Sequence, residues 1–264
     1  MRTDPIGVID SGLGGVSTLR QLVMRFPRED FLYFGDCGNA PYGSRPVGEI
    51  RALALSACRR MEENGAKALV IACNTSVSVA LDTLTGALSI PVVGIRPAIA
   101  RAAALPGDGR VLMLATEATA ASEGYHAFLN TLPNAGRVVS VGCPADVVRN
   151  VEAGELSPAA YEKHLHHVLA PYEGEIFDAI VLGCTHYPFA FTAIRTYADA
   201  HLKGACAFIE GGREVCDELE AALDRLKLRT PAKAPGQVTF TCSGDYARQF
   251  NTYQNLLACE MPAL

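Results

Sequence analysis

At 264 residues the chain is long enough for one large domain or two of modest size. Its 49% hydrophobic and 19% charged residues are ordinary for an α/β protein, and the longest apolar runs fall far short of the ~20 residues a membrane span needs. A formal charge of −5 offers no attraction to nucleic acid or acidic lipid, although backbone N–H groups can still gather a small anion locally.

The opening MRTDPIGVIDSG has an early acid and only a short apolar stretch, unlike a signal peptide, so the cytoplasm is the expected compartment. Nine cysteines are scattered along the chain without a CxxC pair, which points away from a zinc knuckle or a thioredoxin motif. They read as reduced thiols, most of them small buried hydrophobes.

In chain order, the first strand is IGVID (6–10), followed by DSGLGG (10–15) and the helical VSTLRQLVMRF. Glycines at such a strand-to-helix junction let backbone approach a ligand, and the helix N-terminus favours an anion. A tight turn with Asp10 as a cap would read the same way, and Ser17 stands where a dinucleotide fingerprint needs its third glycine. FLYFGD (31–36) leads into the loop GDCGNAPYG (35–43), then a helix over 47–64. ALVIAC (68–73) runs into ACNTS, PVVGI (91–95) follows, and RVLMLAT (110–116) and RVVSVGC (137–143) come next. A helix is predicted over 157–172 before DAIVLGC (178–184), which runs into GCTHYP (183–188). The tail has a helical 213–228, a strand-like 237–243 and a last helix. The strands are apolar on both faces and alternate with helices, which predicts an α/β fold with mainly parallel sheets.

Three of these strands repeat in order. ALVIACNTS lies over AIVLGCTHY with Cys73 on Cys184, FLYFGD over VVSVGC with Gly35 on Gly142, and IGVIDS over VLMLAT with Ser11 on Thr116, at nearly the same separation each time. This implies two similar α/β domains: residues 1–97 plus a returning tail, 208–264, and residues 98–207. Ligands in open α/β sheets bind beyond the carboxyl ends of strands, where both cysteines fall, so two facing domains would put one thiol on each wall of a cleft. Each thiol is also expected at a helix start, where a thiolate is favoured. Taken singly, either cysteine fits a buried structural role; the matched pair does not. His186, two residues after Cys184, is a candidate proton partner. His164, His166 and His167 share a predicted helix but lack a nearby cysteine or acid-rich loop, so no metal site is expected.

DSGLGG, GDCGNAPYG, ACNTS, ATEATAAS with Tyr125, Cys143-Pro144 with VEAGE (151–155), and GCTHYP together resemble the glutamate racemase family. The resemblance runs in order from about residue 6 to residue 188, and it is weaker to the related aspartate and hydantoin racemases. It implies two α/β domains facing across a cleft, with neither pyridoxal phosphate nor metal required. It implies that Cys73 and Cys184 exchange the roles of base and acid, with Asp10 assisting the first and His186 and Glu152 the second. By the same match Asp10, Ser11, Tyr42, Gly43, Asn74, Thr75, Thr119, Thr185 and His186 would hold the amino acid. Interconversion of L- and D-glutamate for peptidoglycan is then the expected function, and a homodimer the expected assembly.

Inverting a stereocentre by proton transfer needs an acid and a base on opposite faces. Thiols suit both tasks because their reference pKa of ~8.5 lies near working pH. The carbanion next to the α-carboxylate needs fixed N–H and hydroxyl donors. Cys37-Gly38-Asn39 stands where Thr-Ala-Arg is more usual, Ala145-Asp146 where two apolar residues are expected, and Arg96 and IEGGRE (209–214) also depart from the family pattern. Rival readings are a racemase of another amino acid such as aspartate, a cysteine hydrolase using one thiol with His186, and a binding module without catalysis.

Overall fold

A computed structural model describes residues 4–204 and 206–261. The first half runs β1 (Ile6–Asp10), α1 (Val16–Arg25), β2 (Phe31–Gly35), α2 (Val47–Glu63), β3 (Ala68–Ile71), α3 (Asn74–Ala87) and β4 (Val92–Gly94). The second begins at α4 (Ile99–Ala103) and continues β5 (Arg110–Thr116), α5 (Glu117–Ala120), α6 (Glu123–Leu129), β6 (Val138–Cys143), α7 (Ala145–Glu152), α8 (Ala159–Leu169), β7 (Phe177–Leu182), α9 (Phe191–His201) and β8 (Ala207–Ile209). The chain then returns through α10 (Gly212–Arg225) to β9 (Val238–Cys242) and α11 (Tyr246–Ala258).

The strands form two wholly parallel sheets, ordered β4-β3-β1-β2-β9 and β6-β5-β7-β8. Reading β5, β6, β7 and β8 as equivalents of β1, β2, β3 and β4 makes the two orders identical, with β9 added beside β2. The repeat seen in the sequence is therefore a repeat of topology. Apolar residues on both faces of β1, β3, β5 and β7 are buried because helices cover each side. One core joins the first sheet to the facing side of the second, while Ile99, Val111, Met113 and Val181 belong to a smaller core elsewhere in the second half.

Two helical expectations change in detail. The helix expected over 157–172 is α-helical only to Leu169, and the stretch containing Pro171 tightens into a 3₁₀ turn. More consequentially, no α-helix begins at Cys184. Residues 184–191 pass through successive i to i+3 bonds, from the N–H of Tyr187 to the Cys184 carbonyl and from Phe189 to His186, before α9 starts at Phe191. Proline explains this. An α-helix here would need the N–H of residue 188 to meet the Cys184 carbonyl, and Pro188 has none. Among the described residues no helix is long and apolar enough to cross a membrane, and no cluster of His, Cys, Asp and Glu is arranged to hold a metal ion.

Candidate active site

Cys73 follows the end of β3 and caps α3. Its sulfur accepts the N–H of Ser76 at 3.4 Å, and its thiol faces Ser11 Oγ at 3.5 Å. Burial, with the Asp10 carboxylate beside it, raises the thiol pKa, while hydrogen bonds with Ser11 and Ser76 pull toward the thiolate. The buried α3 N-terminus adds N–H dipoles in the same sense.

Cys184 is supported differently. Its sulfur lies 3.6 Å from His186 Nδ1, and His186 Nε2 lies 2.7 Å from Glu152 Oε1 at the end of α7. With Nε2–H given to the carboxylate, Nδ1 presents a lone pair to the thiol. Burial opposes the imidazolium, but the hydrogen bonds and charges of Cys184 and Glu152 outweigh it and hold the His186 pKa well above its usual value. The same Glu152 Oε1 accepts the N–H of Leu13 from the first half at 2.6 Å.

This contact explains the glycines of DSGLGG. A Cβ on Gly12 would overlap the Glu152 carboxylate, and one on Gly14 would overlap the His186 ring and Thr185 Oγ1. The sequence allowed either a loop opened for a ligand or a tight turn with Asp10 as a cap. These two glycines instead make room for side chains of the other half. Asp10, at the end of β1, accepts Gly12 N–H at 2.9 Å and the Thr185 hydroxyl at 3.1 Å. Burial raises its pKa, opposed by the charge of His186 and by those two hydrogen bonds, with Glu152 adding to the rise.

Both thiols line one narrow cavity, together with Ser11, Tyr42, Gly43, Asn74, Thr75, Thr185 and His186. Asp10, Glu152 and Thr119 stand outside that lining. Thr119 is fully buried, and its hydroxyl meets those of Thr116 at 3.0 Å and Thr75 at 3.4 Å. Thr116 joins the lining and bonds Thr75 across the halves at 2.9 Å. The sequence reading did not count it as a site residue, although the internal alignment had laid it on Ser11.

Asp36 was also missed. It is buried and accepts the Tyr42 hydroxyl at 2.5 Å, the Ser243 hydroxyl at 2.5 Å and the Asn39 amide at 3.0 Å. An acid next to a glycine-rich loop signals little by itself, since its partners come from two loops. Because Tyr42 gives its proton to Asp36, its oxygen has only lone pairs left for the cavity. Asn74 Oδ1 is buried without a hydrogen-bond partner, and Asn74 lines the same space. The cavity thus holds two proton-transfer groups, several hydroxyls and at least one free acceptor, a set able to hold a zwitterionic amino acid.

The family described as Asp/Glu/Hydantoin racemase matches residues 7–224. The chain is 37% identical to glutamate racemase of Herpetosiphon aurantiacus over 94% of its own length and 95% of that protein's. It is 36% identical to glutamate racemase of Clostridium botulinum, covering 89% and 90%. Among solved structures it is similar to glutamate racemase from Thermus thermophilus in complex with beta-chloro-D-alanine, with a TM-score of 0.79, 33% identity and coverage of 96% and 93%. It is similar also to that of Francisella tularensis in complex with D-glutamate, with a TM-score of 0.83, 28% identity and coverage of 98% and 95%.

Proposed function

The chain belongs to the Asp/Glu/Hydantoin racemase family, and from that premise we infer that it interconverts L- and D-glutamate by proton transfer between two thiols. The observation that carries the mechanism is the single cavity reached by Cys73 and Cys184 from equivalent strand ends of two like-ordered sheets. In one direction a thiolate removes the α-proton while the opposite thiol delivers its own to the other face; in the reverse direction the roles exchange. Each transfer leaves the site with the same number of protons, so it is ready for the product enantiomer.

His186 takes the Cys184 proton at Nδ1 and Glu152 holds the resulting imidazolium, a charge-assisted arrangement. Asp10 acts beside Cys73, its negative charge disfavouring a permanent thiolate there. Asn74 Oδ1 and the Tyr42 oxygen are acceptors suited to the ammonium group. The hydroxyls of Ser11, Thr75 and Thr185, the backbone at Gly43 and the α3 N-terminus suit the carboxylates, with Thr119 setting Thr75 from behind. Charge built up beside the α-carboxylate would be met by these fixed donors, without pyridoxal phosphate or a metal.

The return of the tail to the first half is supported by β9 pairing with β2 and by α10 packing on α1, but Phe208 and Ile209 pair with β7 in the second sheet, so the division becomes residues 1–97 plus 210–264 and residues 98–209 rather than a break at 208. Cytoplasmic supply of D-glutamate for peptidoglycan, by a homodimer, completes the proposal on the family resemblance. The test is incubation of purified, chelator-treated protein with L-glutamate and no cofactor, followed by chiral chromatography. An equimolar mixture of enantiomers is expected. Turnover of L-aspartate in place of glutamate would move the substrate, and turnover of neither would overturn the reading.

A further inference from the structure

The first turn of α1 carries a buried hydroxyl that the mechanism above does not use. Ser17 Oγ lies 2.9 Å from the Gly14 carbonyl and 2.9 Å from the Thr185 carbonyl. The first contact is local, a common way for serine to bond backbone in a helix's first turn. The second reaches 168 residues along the chain into the other half of the molecule. A hydroxyl has one proton to give, so the two carbonyls compete for it.

The Thr185 carbonyl belongs to the peptide unit that joins Thr185 to His186. Fixing that carbonyl fixes the plane from which the imidazole hangs. Gly14, whose own carbonyl shares the Ser17 hydroxyl, lies against the same ring. Two further contacts from the first half grip this turn: Asp10 Oδ2 accepts the Thr185 hydroxyl, and Leu13 N–H reaches the Glu152 carboxylate that meets His186. The groups around the imidazole are then Cys184 and Thr185 at Nδ1, Glu152 at Nε2, and the nearby Asp10 carboxylate. Of these attachments only the Ser17 hydroxyl acts through a side chain with no other part in the site.

We propose that Ser17 is a positioning residue for the Cys184 side of the reaction: by holding the Thr185 carbonyl it keeps the His186 ring at the Cys184 sulfur and so sets how that thiol shares its proton. The step it governs moves one proton from Cys184 Sγ to His186 Nδ1, leaving a thiolate beside an imidazolium. Cys73 has no equivalent, because its partners Ser11 and Ser76 lie in its own half. The proposal rests on the racemase reading and makes the two thiols unequal in their dependence on the interface.

Enantiomers have equal free energies, so kcat/KM must be the same in both directions for any variant. A change confined to one thiol therefore appears as a shift in the ratio of the two kcat values, matched by the ratio of the two KM values. Ser17→Ala is expected to move that ratio by roughly 2- to 10-fold, the effect of one lost hydroxyl-to-carbonyl bond. It is also expected to lower the pH at which His186 titrates by NMR, a readout that needs no turnover. Ser17→Thr, which keeps the hydroxyl, should restore both. Equal slowing in both directions with an unchanged His186 titration, or a loss of thermal stability alone, would overturn the proposal. Ser17→Cys, similar in size but a weak donor, gives a second variant should Ser17→Ala not fold, and an unmoved His186 titration there counts equally against it. Failure of the wild-type protein to racemise glutamate would overturn the function and leave the His186 titration to judge Ser17.

Discussion

The two cysteines occupy equivalent places in the fold and unequal surroundings. Cys73 is held inside its own half, capping a 14-residue helix and bonded by Ser11 and Ser76. Cys184 has no helix at its back, because Pro188 delays α9, and a histidine–glutamate pair supports it instead. That pair is completed across the interface, where Leu13 N–H meets Glu152 and glycines leave room for Glu152 and His186. Duplication explains why the thiols face one cavity. Later divergence of the loops explains why one is governed by a helix end and the other by contact between halves.

The largest effects should come from removing either thiol. Cys73→Ser and Cys184→Ser are each expected to slow racemisation by on the order of 10²–10⁴-fold, the usual contribution of a positioned acid or base, measured by chiral chromatography. Near-normal turnover in one of them would break the symmetry of the pair and favour a single-thiol hydrolase. Gly14→Ala comes next. Its methyl overlaps His186 from the opposite half, so a loss of about 1–3 kcal/mol in stability, with activity, is expected by denaturant unfolding. Ser11→Ala, which removes a partner of Cys73 within its own half, should slow turnover with little change in unfolding.

Glu152→Gln sharpens the comparison through pH. In the folded wild type the His186 pKa stands well above its usual 6.5, helped by Glu152. A raised histidine contributes stability that is fully present below the unfolded pKa and is lost as pH rises through the folded value. In Glu152→Gln the contribution should be smaller and its loss complete at lower pH, read as a downward shift of the His186 titration by NMR and a shallower fall of the thermal midpoint with rising pH. The smallest effect on stability is expected from Thr75→Val, which breaks the hydroxyl contact with Thr116 across the interface. It should cost about 1 kcal/mol. A double Thr75→Val, Thr116→Val variant should cost less than the sum of the two single changes.

Much of the frame was legible because periodicity and order are local properties. Strands apolar on both faces marked parallel sheets, and three in-register matches revealed the repeated topology, Cys73 with Cys184 among them. The alignment even laid Thr116 on Ser11. What could not be read were contacts whose two ends are far apart in sequence. Nothing local says that Gly12 makes room for Glu152, or that Asp36 gathers Tyr42, Asn39 and Ser243. The departures from the family pattern also resolve by position. Asn39 bonds Asp36, Asp146 is a surface residue paired with Arg149, and Arg96 lies over the Phe128 ring at 5.8 Å. The delayed helix after Cys184 was readable in principle from Pro188, but the likeness of GCTHY to ACNTS masked it.

In the proposed mechanism protons enter and leave opposite faces of one carbon through different thiols. Early conversion of L-glutamate in deuterated water, followed by NMR with separation of enantiomers, tests it directly. Two-thiol transfer requires the newly formed D-glutamate to carry deuterium at the α-carbon while remaining L-glutamate keeps its protium, because the delivering thiol has exchanged with solvent and the removing thiol has not yet done so. D-glutamate that retains the original α-proton would mean one base serving both faces, and would contradict it.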